Sequence, residues 1–252
     1  MINEYEIFHN PPITEALIDI RVTLPKEVNL NTVGEFHEEV KTRFPQKEEK
    51  FHLKTQFELK PGIGPQISEH SGAIEGYLFR SSDNTKVVQS RLDGFTFNKL
   101  KPYENWEVFS TEARELWNYY VKIVKPKNVT RLALRYINRI EIPLPIKDLK
   151  EYILTVPEIA PGIPDALTQV VMRLVIQNKE LESEAIIIEA TESPEVKNDQ
   201  QLLPLIFDID VFKIVTLDPA DEEIWNIMLR LRKFKNDIFF KNLTNKTKEL
   251  FK

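Results

Sequence analysis

The chain contains no cysteine among its 252 residues. Disulfide stapling, thiolate metal sites and thiol nucleophiles are therefore excluded, which fits a reducing compartment. Glycine is scarce as well, at seven positions. The short cluster Gly62-Ile63-Gly64-Pro65 lacks the following Lys-Ser/Thr of a phosphate-cradling loop and reads as a turn. There is no Gly-x-Ser-x-Gly elbow and no dinucleotide-binding fingerprint. His9, His37, His52 and His70 are scattered without metal-ligand spacing, so each is expected at a surface or boundary. No apolar run approaches the roughly 18 residues that span a bilayer. The stretch MINEYEIFHNPP has neither the basic region nor the apolar core of a signal peptide. A cytoplasmic protein with no membrane association and no cofactor is the expectation.

What is present fits a folded globular chain. Hydrophobic residues make up 42% and charged residues 29%, enough for one large domain or two of about 100 to 150 residues. The net charge of -5 argues against indiscriminate binding to nucleic acid, while leaving room for a local basic patch. The most informative stretch is RLALRYINRIEIP, which begins at Arg131. Leu132, Leu134, Tyr136, Ile140 and Ile142 share one face; Arg131, Ala133, Arg135, Ile137, Arg139 and Glu141 share the other. Such period-two alternation specifies a half-buried strand.

The same alternation appears in ITEALIDIRVTLP, where Ala16, Ile18, Ile20 and Val22 oppose Glu15, Leu17, Asp19 and Arg21. Thr32 and Glu35 have capping-box spacing ahead of a helix carrying Val33, Phe36, Val40 and Phe44. Strands follow near 51–59, 73–81, 86–92 and 94–100, the last two joined at Asp93-Gly94, and a second helix runs from Trp106 to before Pro126. The rest repeats the order: a strand at 129–142, a short helical stretch KDLKEYIL, and strands near 167–179, 184–192 and 203–213. A long helix with Asp218 as N-cap and Pro219 in its first turn comes next, then a short helix at 244–251. The spacing predicts an α+β protein of two similar halves, residues 1–126 and 127–252, each strand, helix, three or four antiparallel strands, helix. Curved sheets would be covered by helices on one face.

Four phrases, NPPITEALIDIR, DGFTFNKLKPYENW, RYINRIEIP and LIFDIDVF, together resemble a sporadically distributed family of uncharacterised prokaryotic proteins of about this length. The resemblance spans nearly the whole chain and implies kinship, without an activity or catalytic residues to carry over. The duplicated order is also similar to the TATA-binding-protein-like architecture, in which two such halves form a curved sheet backed by helices. That likeness is topological and does not transfer function.

Two sets of residues carry candidate chemistry. Arg131, Arg135 and Arg139 form a stripe on the open face, joined by Arg173 if QVVMRLVIQ lies in the same sheet; planar guanidinium groups suit phosphate or carboxylate partners. The plainer reading is cross-strand pairing with Asp19, Glu141, Glu189, Asp208 and Asp210. Asp208 and Asp210 share a strand face in LIFDIDVF. With Glu189 nearby they could hold a divalent cation for phosphoester chemistry, anchored by Arg135 and Arg139. The Phe and Trp residues between 95 and 117 read as core. The basic, aromatic segment from Arg230 to Lys252 reads as a helix end with solvated lysines, or else a docking element. The favoured expectation is a non-enzymatic binding protein whose charged concave face meets a ligand, a protein or nucleic acid, with a metal-dependent enzyme as the alternative.

Overall fold

In the computed structural model, which describes residues 5–51, 54–58, 66–70, 72–162 and 169–252, the strands of ITEALIDIRVTLP and RLALRYINRIEIP pair at the centre of the sheet. Strand β1 (Ile13–Thr23) leads to helix α1 (Leu30–Val40), then β2 (Gln46–Phe51), β3 (Lys54–Glu58), β4 (Gln66–His70), β5 (Ile74–Arg80), β6 (Lys86–Arg91) and β7 (Gly94–Leu100). Helix α2 (Trp106–Val124) connects to β8 (Asn128–Pro143). After it come β9 (Val171–Asn178), β10 (Ser183–Thr191), β11 (Glu195–Lys197), β12 (Gln200–Leu217), α3 (Glu223–Asn242) and α4 (Asn245–Glu249). The chain is α+β, with one curved, unclosed antiparallel sheet in the order β2-β5-β6-β7-β1-β8-β12-β10-β9. β11 adds to β12, and β3 pairs with β4 separately.

Register explains why one face of this sheet is apolar. Ile18 lies opposite Leu134 and Phe97, and Ile20 opposite Leu132 and Phe95; Val211 and Ile209 then continue the Leu134 and Tyr136 rows. Side chains in one row point the same way, so these residues form a continuous layer, buried under the helices. Helix α2 supplies Phe109, Ala113, Leu116, Trp117 and Tyr120 to it, and α3 supplies Ile224, Met228 and Leu231. At about 1.5 to 3 kcal/mol for each large apolar side chain removed from water, this layer dominates folding. Two polar tips within it are satisfied: Trp117 Nε1 donates to the Pro219 carbonyl at 3.0 Å, and the Tyr120 hydroxyl to the Arg91 carbonyl at 3.0 Å.

The β6–β7 hairpin must lie flush against β1. A Cβ at Gly94 would sit 2.3 Å from the Ile20 carbonyl oxygen, so only glycine permits that approach.

Several local expectations need correction. Helix α1 is capped by Asn29, whose side chain accepts from the Asn31 and Thr32 N–H groups. Thr32 is the reciprocating N3 residue, because Leu30 already lies in the helix and packs on the core. Asp218 does not cap α3. Its carboxylate accepts from Ala220 N–H at 2.8 Å in a turn held by the Trp117–Pro219 bond, and the helix starts at Glu223. KDLKEYIL gives a single 3-10 turn, Leu149–Glu151, so the described residues of 127–252 contain no counterpart of α1. The spacing leaves open whether the curved sheets are continuous or side by side; they are continuous through the β1–β8 pairing. The turn at 62–65 and His52 lie outside the described residues. His37 sits at a boundary, stacked on Phe79. No helix among the described residues is long and apolar enough to cross a membrane.

Candidate functional site

On the sheet face away from the helices, the odd-numbered side chains of β1 and β8 line up with the even-numbered ones of β7 and β12. Asp19 is the hub. Its carboxylate is almost fully buried, at 6% exposure. It accepts from Arg91 Nη2 at 2.8 Å, Thr96 Oγ1 at 2.7 Å, Arg21 Nε at 3.0 Å and Arg131 Nη1 at 3.2 Å. Burial opposes its charge, but the guanidinium groups of Arg91 and Arg21 prevail and hold its pKa below the usual value. Arg91, 3% exposed, also donates to Gln89, Asp93 and Thr96.

Arg131 bridges two acids. It lies over the Phe212 ring, 4.4 Å from the centroid, and reaches Asp210 at 3.3 Å while holding Asp19. Arg135 clamps Asp208 with two bonds, Nε at 2.8 Å and Nη2 at 2.5 Å. That fork fixes direction as well as distance. The hydrogen bond to Asp208 raises the arginine's pKa further. Asp210 differs: burial pushes its pKa up despite Arg131 and Arg135. Its buried Oδ1 has no hydrogen-bond partner among the described residues.

The stripe therefore divides. Successive arginines four residues apart on a strand stand about 13 Å apart. Arg131 and Arg135 border a crevice of about 510 Å³ that also takes in Asp19, Arg21, Lys50, Arg91 and Asp210. Arg139 lies beyond it, held by Glu141, Glu192 and Glu195 at 2.9 to 3.0 Å. Arg173 shares the face, opposite Ile188 in the row of Asp208. It is exposed on edge strand β9, however, and forms no ion pair with a described residue.

Asp208 and Asp210 do lie side by side on this face, yet Arg135 and Arg131 occupy them. Glu189 does not join them. It pairs in register with Phe207, so its side chain goes to the helix-covered face, where it is 1% exposed. There Oε1 has no hydrogen-bond partner among the described residues, and burial pushes the pKa up to about 7. Among the described residues no group of three or more His, Asp or Glu side chains is placed to hold a metal ion.

Arg91 and Lys50 escaped the sequence reading. Alternation in KVVQSR, with Val88 inward, would have put Gln89 and Arg91 outward. Lys50 has no such signal, because most of β2 is exposed on both faces. The C-terminal aromatic residues Phe239 and Phe251 are buried, and α4 is capped by Thr244. One lysine of that segment is not solvated: Lys235 is 7% exposed. No protein-family model matches the chain, and no curated protein matches it.

Proposed function

We propose that the protein is a non-enzymatic binding protein whose concave sheet face receives an acidic or phosphate-bearing group of a ligand or partner. The carrying observation is the crevice at Arg131 and Arg135, where five cationic side chains and two carboxylates border one space. Carboxylates below and beside them already fix the guanidinium groups, yet donors remain. Arg21 also pairs with Asp93 through Nη1, and Arg135 Nη1, Arg131 Nε and Arg21 Nη2 take no part in any of these bonds. Prior fixation lowers the ordering cost of binding, so the internal ion pairs serve as positioning for these free donors.

The test is calorimetric titration with inorganic pyrophosphate at low ionic strength. Arg131→Gln/Arg135→Gln should weaken binding at least about tenfold, the loss of two charge-assisted contacts, with the melting transition retained. Equal affinity in the variant rejects the crevice. A nucleic-acid partner would further show affinity falling steeply with salt.

We also infer two related halves, 1–126 and 127–252, in the TATA-binding-protein-like manner. Supporting this, each half's first strand lies at the centre, flanked by that half's last strand, β7 beside β1 and β12 beside β8. The main departure is that the described residues of 127–252 contain no counterpart of α1.

A further inference from the structure

The helix-covered side holds a second cavity, about 350 Å³, between the segment around Phe8, the turn leading into α2, and α3. Phe8, Trp106, Phe239 and Phe240 wall it, and Lys235 and Arg232 enter it from α3. The two cations sit three residues apart, hence on one helix face. Neither forms an ion pair with a described residue. Lys235 Nζ lies 3.9 Å over the centroid of Tyr136, and Arg232 lies 5.4 Å over that of Trp106. Aromatic faces compensate a buried cation only in part: about 2 kcal/mol is the usual scale, against several for its desolvation. A buried ammonium beside a second unpaired cation calls for an anion, and flat apolar walls call for a flat apolar body.

We propose that this cavity binds a small organic carboxylate with a flat apolar body, its carboxylate received by Lys235 and Arg232. The volume lies in the range of small-molecule pockets. The site is separate from the concave face and independent of the function proposed for it.

Charge coupling follows from the surroundings. Burial, and secondarily Arg232, pushes the Lys235 pKa down to about 7, so the empty site is largely uncharged at Lys235 in mild alkali. Tyr5, Glu6, Tyr103, Glu104, Glu107 and Tyr136 also face the cavity. Burial raises the pKa of Tyr5 and pushes Tyr103 up to about 12, its hydroxyl 2.8 Å from that of Tyr136, which is raised further still. None of the three titrates near neutrality. Glu104 is paired with Lys99 at 3.0 Å. An arriving carboxylate restores the ammonium, so binding takes up a proton at Lys235.

The test uses the full chain with 3-phenylpropionate and its neutral analogue 3-phenylpropionamide, by calorimetry in two buffers of different ionisation enthalpy. The acid should bind with uptake approaching one proton at about pH 8, and tighten more than about tenfold between about pH 8.5 and 6.5. Lys235→Met should abolish the uptake and weaken binding at least about tenfold; Arg232→Gln should weaken binding and keep the uptake. The Arg131→Gln/Arg135→Gln variant should bind the acid like wild type. No binding of the acid at millimolar concentration, equal binding of the amide, or unchanged binding by Lys235→Met would each overturn the proposal.

Discussion

Arg91 on the open face and Lys235 on the covered face are both cations withdrawn from water, yet their circumstances are opposite. Arg91 has Asp19, Asp93, Thr96 and Gln89 around its guanidinium. Lys235 has the rings of Tyr136 and Phe239. The acids follow the same division: Asp19 is stabilised by arginines, whereas Glu189 is buried with no partner at Oε1 among the described residues. A stripe of charge on a sheet is therefore first a lattice, and its capacity for a ligand resides in donors the lattice leaves over. An isolated buried charge has no such structural occupation.

Substitutions can break this contrast, and the largest effect should come from its hub. Asp19→Ala removes the acceptor shared by Arg21, Arg91, Arg131 and Thr96, leaving Arg91 without its inner carboxylate; urea denaturation should show a loss of about 3 to 5 kcal/mol. Because the Asp19 pKa is depressed in the folded state, wild type holds this stabilisation above the ordinary carboxylate range. It should lose it as pH falls through the folded value.

The opposite sign is expected on the covered face. A lysine titrating at about 7 rather than 10.5 opposes folding fully below about pH 7, and ceases to oppose it above the unfolded value. Lys235→Met should thus gain about 4 kcal/mol at neutral pH, with the gain vanishing in urea melts near about pH 11. Glu189→Gln sharpens the same point with smaller amplitude. Its carboxyl titrates at about 7 rather than 4.5. The variant should therefore gain about 3 kcal/mol in thermal melts above pH 7 and nothing below about pH 4. Smallest of all is Arg139→Gln, whose three glutamate partners are partly exposed; chemical denaturation should register less than about 1 kcal/mol.

The sheet was legible because alternation in β1 and β8 determines which side chains meet once the strands pair. Arg131, Arg135, Asp208 and Asp210 could accordingly be placed on one face from sequence. The salt-bridge partners could not, since the choice of Asp208 for Arg135, rather than the register-paired Asp210, is made by side-chain reach. Glu189 was misplaced for a similar reason: facing depends on register against β12, which local sequence does not contain. Lys235 was hidden by company. Among five other basic residues between Arg230 and Lys246 it looks solvated, and only the packing of α3 on Tyr136 separates it from them. The caps of α1 and α3 shifted because tertiary contacts, at Leu30 and at the Trp117–Pro219 bond, determined where each helix could begin.

The arginine Nε resonances of the wild-type protein, followed during titration with pyrophosphate, test the carboxylate–arginine lattice most directly. Arg131, Arg135 and Arg21 should shift together and saturably, while Arg139, held by its glutamates, and Arg173, outside the crevice, stay fixed. Saturable shifts confined to Arg139 or Arg173, or none at the crevice arginines, would contradict it.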